Sequence, residues 1–159
     1  MMRSDRLLFC LAEGTLAAVL LSCRAGDAPP AALDTKNEMC RFCRMPVSDA
    51  HLAAQLAAPG EEPAFFDDIG CLRDFLKQGG EGPAGAVAYV ADHRTGDWAR
   101  AARATYSRCP AVETPMGSHL IAHADAASRD ADAAARGCAV ESATAVFGTG
   151  PPDGRKRGD

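Results

Sequence analysis

Clusters of positive charge are almost missing from this chain. Its 17 Lys and Arg against 21 Asp and Glu give a net charge of -4, and only the short terminal "GRKRG" is basic. That excludes the clustered cationic face a nucleic-acid partner requires, so no nucleic acid is expected as a ligand. Aromatics are scarce too, at 6% with one Trp, so a core has to be built from small aliphatic side chains. No apolar run makes a durable membrane span: "LLFCLAEGTLAAVLL" is short and interrupted by Glu13. A second Cys-x-x-Cys is absent, and the one closely spaced histidine pair, His119 and His123, lies in a strand-like run, which weighs against a tetrahedral zinc site. What is present is a 159-residue chain, 47% apolar, with room for one compact domain or two small units on a shared core.

The first 22 residues read as an export signal, with Arg3 and Arg6 as its basic head and an apolar stretch behind them. Leu20-Leu21-Ser22-Cys23 resembles the lipobox of bacterial lipoproteins. That resemblance implies cleavage before Cys23, acylation of its thiol and an anchor on the extracytoplasmic, periplasmic side of a membrane. Besides Cys23, five cysteines then remain, Cys40, Cys43, Cys71, Cys109 and Cys138. An odd number in an oxidising compartment leaves at least one outside a disulfide, a first hint of metal.

Residues 23–38 have the polar, proline-paired composition of a lipid-anchored tether. After them "VSDAHLAAQLAAPG" and "EPAFF" form an expected hairpin around Pro59-Gly60, and "DDIGCLRDFLKQGG" a helix capped by Asp67 or Asp68 and stopped by Gly79-Gly80. "GAVAYVAD" is a strand. The second half repeats this order: "DWARAARATYS" and "TPMGSHLIAH" as strands, a helix over 124–137 ending at Gly137, and "CAVESATAVF" as a last strand. The expectation is therefore an α+β fold of two consecutive strand-strand-helix-strand units, residues 39–92 and 93–147, packed as one small domain. Residues 148–159 are expected to be a disordered tail.

Chemistry concentrates in "EMCRFCRMPVSD", residues 38–49. Cys40-x-x-Cys43 alone serves zinc sites, redox pairs and copper sites alike. A thioredoxin-type pair sits where a strand runs into a helix, and here a tether precedes and Pro46 follows. Methionine favours copper: the mature chain has three, Met39 and Met45 beside the cysteines and Met116 in a turn, none of them in an expected helix. Thioether and thiolate are soft donors that match Cu(I).

The motifs "CRFCRMPVSD", "FFDDIGCLRDFL", "YVADHRTGDWARAARATY" and "TPMGSHLIAH", in this order, resemble those of the NosL family of periplasmic copper-binding lipoproteins, from about Cys40 to Phe147. The resemblance implies paired strand-strand-helix-strand units, as in an organomercurial lyase domain, and a Cu(I) chaperone that serves maturation of nitrous oxide reductase. That enzyme or its maturation machinery at the membrane would be the partner, and carriage rather than catalysis the role. Family members commonly read Cys-Gly-Met where this chain has Cys43-Arg44-Met45. Gly permits backbone angles that Arg resists, which leaves the ligand geometry at this turn open.

The expected copper ligands are Cys43 and Met116, with Met45 as third donor and Cys40 as reserve thiolate. His119 is a further candidate nitrogen, ahead of His51, His93 and His123. Cys71, beside Ile69 and Leu72, reads as a buried small thiol rather than a ligand. Cys109 and Cys138 either pair or stay buried. Asp67 and Asp68 read as helix caps rather than as an acid-base pair, and Asp92 and Trp98 as residues that shape the link between the units. The rival functions are a thiol-disulfide oxidoreductase and a structural zinc-binding protein.

Overall fold

A computed structural model describes residues 27–80 and 82–154. The expected signal segment and the Cys23 lipidation site lie outside these residues, and among those described no helix is long and apolar enough to cross a membrane.

The first unit runs β1 (Ala54–Ala57), β2 (Ala64–Phe66), α1 (Ile69–Lys77) and β3 (Val87–Ala91). A tight turn at Gly60, with φ 77°, joins β1 to β2, and β3 returns to the other side of β1, antiparallel to it. Asp68 caps α1, its carboxylate accepting from Gly70 N at 2.6 Å. The second unit has the same topology in β5 (Thr105–Arg108), β6 (Leu120–His123), α2 (Ala126–Ala131) and β7 (Ala139–Glu141), since β5 is flanked by β6 and β7, both antiparallel. The repeat expected from element order is thus a repeat of strand pairing, in an α+β fold.

Three local expectations are corrected. "DWARAARATYS" is two strands rather than one: β4 (Trp98–Arg100) completes the first sheet beside β3, and β5 begins the second. Between them the chain turns over Ala101, whose carbonyl accepts from the buried Tyr106 hydroxyl at 2.7 Å. The helix expected over 124–137 stops at Ala131, because the Asp132 side chain turns back to accept from Ala134 N and starts a separate 3-10 turn, Ala133–Ala135. "CAVESATAVF" leaves β7 at Glu141. Ser142 then caps a short helix, α3 (Ala143–Phe147), which folds Phe147 onto Tyr106 with ring centroids 5.6 Å apart.

One face of the first sheet, with Ala54, Leu56, Ala88 and Val90, joins Phe65, Phe66, Ile69, Leu72, Tyr106, Leu120 and Phe147 in the main core. Its other face, with Gln55 and Tyr89, is covered by residues expected to form a tether. The buried Gln55 amide exchanges two hydrogen bonds with the Ala31 backbone, the Tyr89 hydroxyl donates to Ala28 O at 2.7 Å, and Arg100 pairs with both Asp27 and Asp153. Beyond Phe147, the chain pairs Asp153 with Val87 and passes Pro152 O to Ala88 N at 2.7 Å. Both segments gain order the same way: the outer face of the sheet needs cover, and the Val87–Ala88 start of β3, which runs past the end of β4, needs backbone partners.

The units meet where Asp92 bridges Ala122 and His93 N donates to Ala122 O. The Asp92 carboxylate accepts from the backbone of Arg94, Thr95 and Ala124, which fixes this link as the sequence suggests. Burial alone would raise its pKa, and these N–H groups together with the Ser128 side chain hold it below the ordinary value. Trp98 is half-buried and packs against both the main core and the cover over the outer face.

Candidate metal centre

A tight loop presents Cys40 and Cys43. Cys40 N donates to Met45 O at 2.7 Å, Arg44 N to Cys40 O at 3.1 Å, and Met39 bridges Pro46. Arg41 N, donating to Phe65 O at 2.8 Å, docks the loop on the end of β2. Closing this turn requires a left-handed residue, and Arg44 takes φ 66°. The turn that glycine would make easily is therefore kept with arginine in it. Arg44→Gly is expected to stabilise the fold by about 1 kcal/mol by relieving Cβ crowding, a rise of roughly 3–4 °C in a thermal melt. A fall would mean that the arginine side chain contributes more than its backbone costs.

Opposite the loop, Asp67 lies between β2 and α1, and Cys71 in the first turn of α1. One donor atom from each of Cys40, Cys43, Asp67 and Cys71 lies within 4.8 Å of all the others. Cys40 and Cys71 are fully buried and Cys43 is partly exposed, its Sγ donating to Asp67 Oδ1 at 3.4 Å. Cys71 S–H donates to Cys40 and, with backbone N–H groups of Cys43 and Asp67, brings the Cys40 thiol down to about 6 against the cost of burial. Cys71 is pushed far up as the donor of that bond and by burial. Cys43 is pushed up to about 11, by burial first. The metal-free cluster thus favours one thiolate held by two thiols.

A metal–sulfur bond of about 2.3 Å in a trigonal plane separates sulfurs by about 4.0 Å, within the span these three thiols occupy. The methionines are not buried with the cluster: Met39, Met45 and Met116 are 51%, 42% and 47% exposed. Met116 rides on a loop fastened to the cap of α1 by Met116 N donating to Asp68 Oδ2 at 3.0 Å. Gly70 makes that approach possible, since a Cβ there would stand 2.7 Å from Ser118 Cβ. His119 uses Nδ1 on Val112 O at 2.9 Å.

The structure therefore brings Cys40 and Cys43 together and sets Met45 and Met116 on two adjoining loops. It adds two residues that sequence reasoning assigned to packing and capping, Cys71 and Asp67. Asp68 is the cap, which releases Asp67 to face the thiols. Cysteine parity held a usable signal for Cys71: Cys109 and Cys138 form a disulfide, and the three thiols left over among the described residues are the three in the cluster.

The NosL family model matches residues 30–146, most of the chain. No curated protein and no solved structure matches it. Family and cluster together support copper or general metal binding, in a family of copper-binding proteins rather than enzymes.

Proposed function

Because the chain belongs to the NosL family, we propose that it is an extracytoplasmic, membrane-anchored carrier of Cu(I) that delivers copper for assembly of nitrous oxide reductase. The observation that carries this reading is the cluster of Cys40, Cys43 and Cys71, with Met45 next but one to Cys43 in the same loop and exposed. Thiolates supply affinity for a soft cation, and burial of Cys40 and Cys71 keeps the ion from water. Cys43 is the partly exposed member, so it is the thiol from which an acceptor takes the ion. Met45 and Met116 act as weaker donors in passage, allowing stepwise exchange with the enzyme or its maturation machinery. The anchor at Cys23 keeps the carrier near that machinery.

The test is competitive titration of reduced protein with Cu(I) and a calibrated chelator, beside a Zn(II) titration. One equivalent of tightly bound Cu(I), displacing Zn(II), is expected. Met116→Leu is expected to slow transfer to a thiol acceptor while changing affinity by under about tenfold (~1.4 kcal/mol). If Met116→Leu leaves the transfer rate unchanged, the thioether has no part in exchange.

A zinc site is the second reading, favoured by the Asp67 carboxylate. Three cysteines and one hard oxygen make a tetrahedral set suited to Zn(II). Under this reading Zn(II) resists displacement by Cu(I) and Asp67→Asn weakens it. Under the copper reading Asp67→Asn leaves Cu(I) affinity nearly unchanged.

A further inference from the structure

A second group of ligating side chains lies at the seam between the units. His93 follows β3, His123 ends β6, and Asp132 stands between α2 and the 3-10 turn. Their donor atoms fall within 4.8 Å of one another. Asp132 Oδ2 is 2.7 Å from His93 Nδ1 and 2.9 Å from His123 Nε2, while Oδ1 is held by Ala134 N at 2.9 Å. The His123 ring is fully buried, and the His93 and Asp132 side chains are 20% and 10% exposed, so the group is reached from the His93 side.

Packing does not account for this arrangement. Two ring nitrogens converge on a single carboxylate oxygen, and His123 Nδ1 is buried with no hydrogen-bond partner among the described residues. That nitrogen is turned away from Asp132 and stays unpartnered with or without an ion, so it is the convergence on Asp132 that carries the argument. Three converging donors from three separate elements, each fixed by backbone contacts, are instead what a cation site requires. Two imidazoles and a carboxylate are borderline-to-hard ligands, matched to Zn(II) or Cu(II) and poorly to Cu(I).

We propose that His93, His123 and Asp132 form a second metal site, for a divalent borderline cation, separate from the thiol cluster and leaving one coordination position toward solvent at His93. Binding replaces the two N–H···O contacts by N–metal and O–metal bonds. Each ring then carries its N–H on the nitrogen turned away from the ion. Because His123 Nδ1 has no acceptor to receive that proton, the site is a weakly buttressed one and exchanges its ion readily.

The probe is Zn(II), added to the full chain with its disulfide intact and Cys40, Cys43 and Cys71 all replaced by Ser. One equivalent is expected to bind, and His93→Ala in that background is expected to weaken binding at least tenfold with an unchanged circular dichroism spectrum. Co(II) is expected to give ligand-field bands without thiolate-to-cobalt charge transfer. Should the triple variant fail to fold, the wild-type chain preloaded with Cu(I) serves, with the His93 and His123 ring resonances followed as Zn(II) is added. No binding, binding indifferent to His93→Ala, or ring resonances that do not move would each overturn the proposal.

Discussion

Cys71→Ser is expected to lower Cu(I) affinity at least about 100-fold, over ~2.7 kcal/mol, as much as Cys40→Ser does. A serine hydroxyl is a hard donor that Cu(I) ignores, and the loss leaves two thiolates where the geometry offers three. The pH dependence makes the count independent of the mutation. Near neutrality Cys40, with its pKa of about 6, is already a thiolate, whereas Cys43 at about 11 and the still higher Cys71 each carry a proton. Ligation by all three displaces two protons, so apparent affinity rises about 100-fold per pH unit between about 6 and 11 in the wild type. As pH falls below about 6, Cys40 protonates too and the dependence steepens. If affinity survives Cys71→Ser within a few-fold and falls instead in Met116→Ala, the ion is held by Cys43 and the thioethers, the set the sequence suggests.

The difference between those ligand sets shows which part of the site a linear reading reaches. Cys40, Cys43 and Met45 sit together in sequence, and Met116 stands out because methionine is rare here. Cys71 is spaced like any core residue of an amphipathic helix, and nothing in "DDIGCLRDFL" says which aspartate caps. The docking of Arg41 on Phe65 O and of Cys43 on Asp67, between segments far apart in sequence, brings the Cys40 loop to the start of α1. The fold shows the same division. Hairpins, glycine stops and the repeat of element order carry local signals. The break between β4 and β5 carries none, since "RAAR" has no glycine or proline and its turn is held by Tyr106 from the next strand. The cover formed by Ala28, Ala31 and Asp27 is invisible for a like reason: it depends on Gln55, Tyr89 and Arg100 facing outward from one sheet.

Replacing Cys109 and Cys138 together by Ala is expected to destabilise the fold by about 3.5 kcal/mol, the closure entropy of their 29-residue loop, seen as a fall of roughly 10–13 °C in melting temperature. Cys109 extends the β5–β6 ladder, its N–H donating to His119 O, and Cys138 leads into β7. The bond therefore closes a loop holding the Met116 turn, β6 and α2. Cys40, Cys43 and Cys71 lie outside that loop, so Cu(I) affinity is expected to stay within about 3-fold, under ~0.7 kcal/mol. A variant that melts within about 2 °C of the parent would mean that the unfolded chain gains little freedom from the cut. A variant that also loses copper would tie the centre to the Met116 turn, because that turn is the part of the loop that reaches α1, through Asp68 and Gly70. The same geometry governs the copper titration itself: the reductant that keeps the three cluster thiols reduced must leave the fully buried Cys109 bonded, or stability and affinity change together.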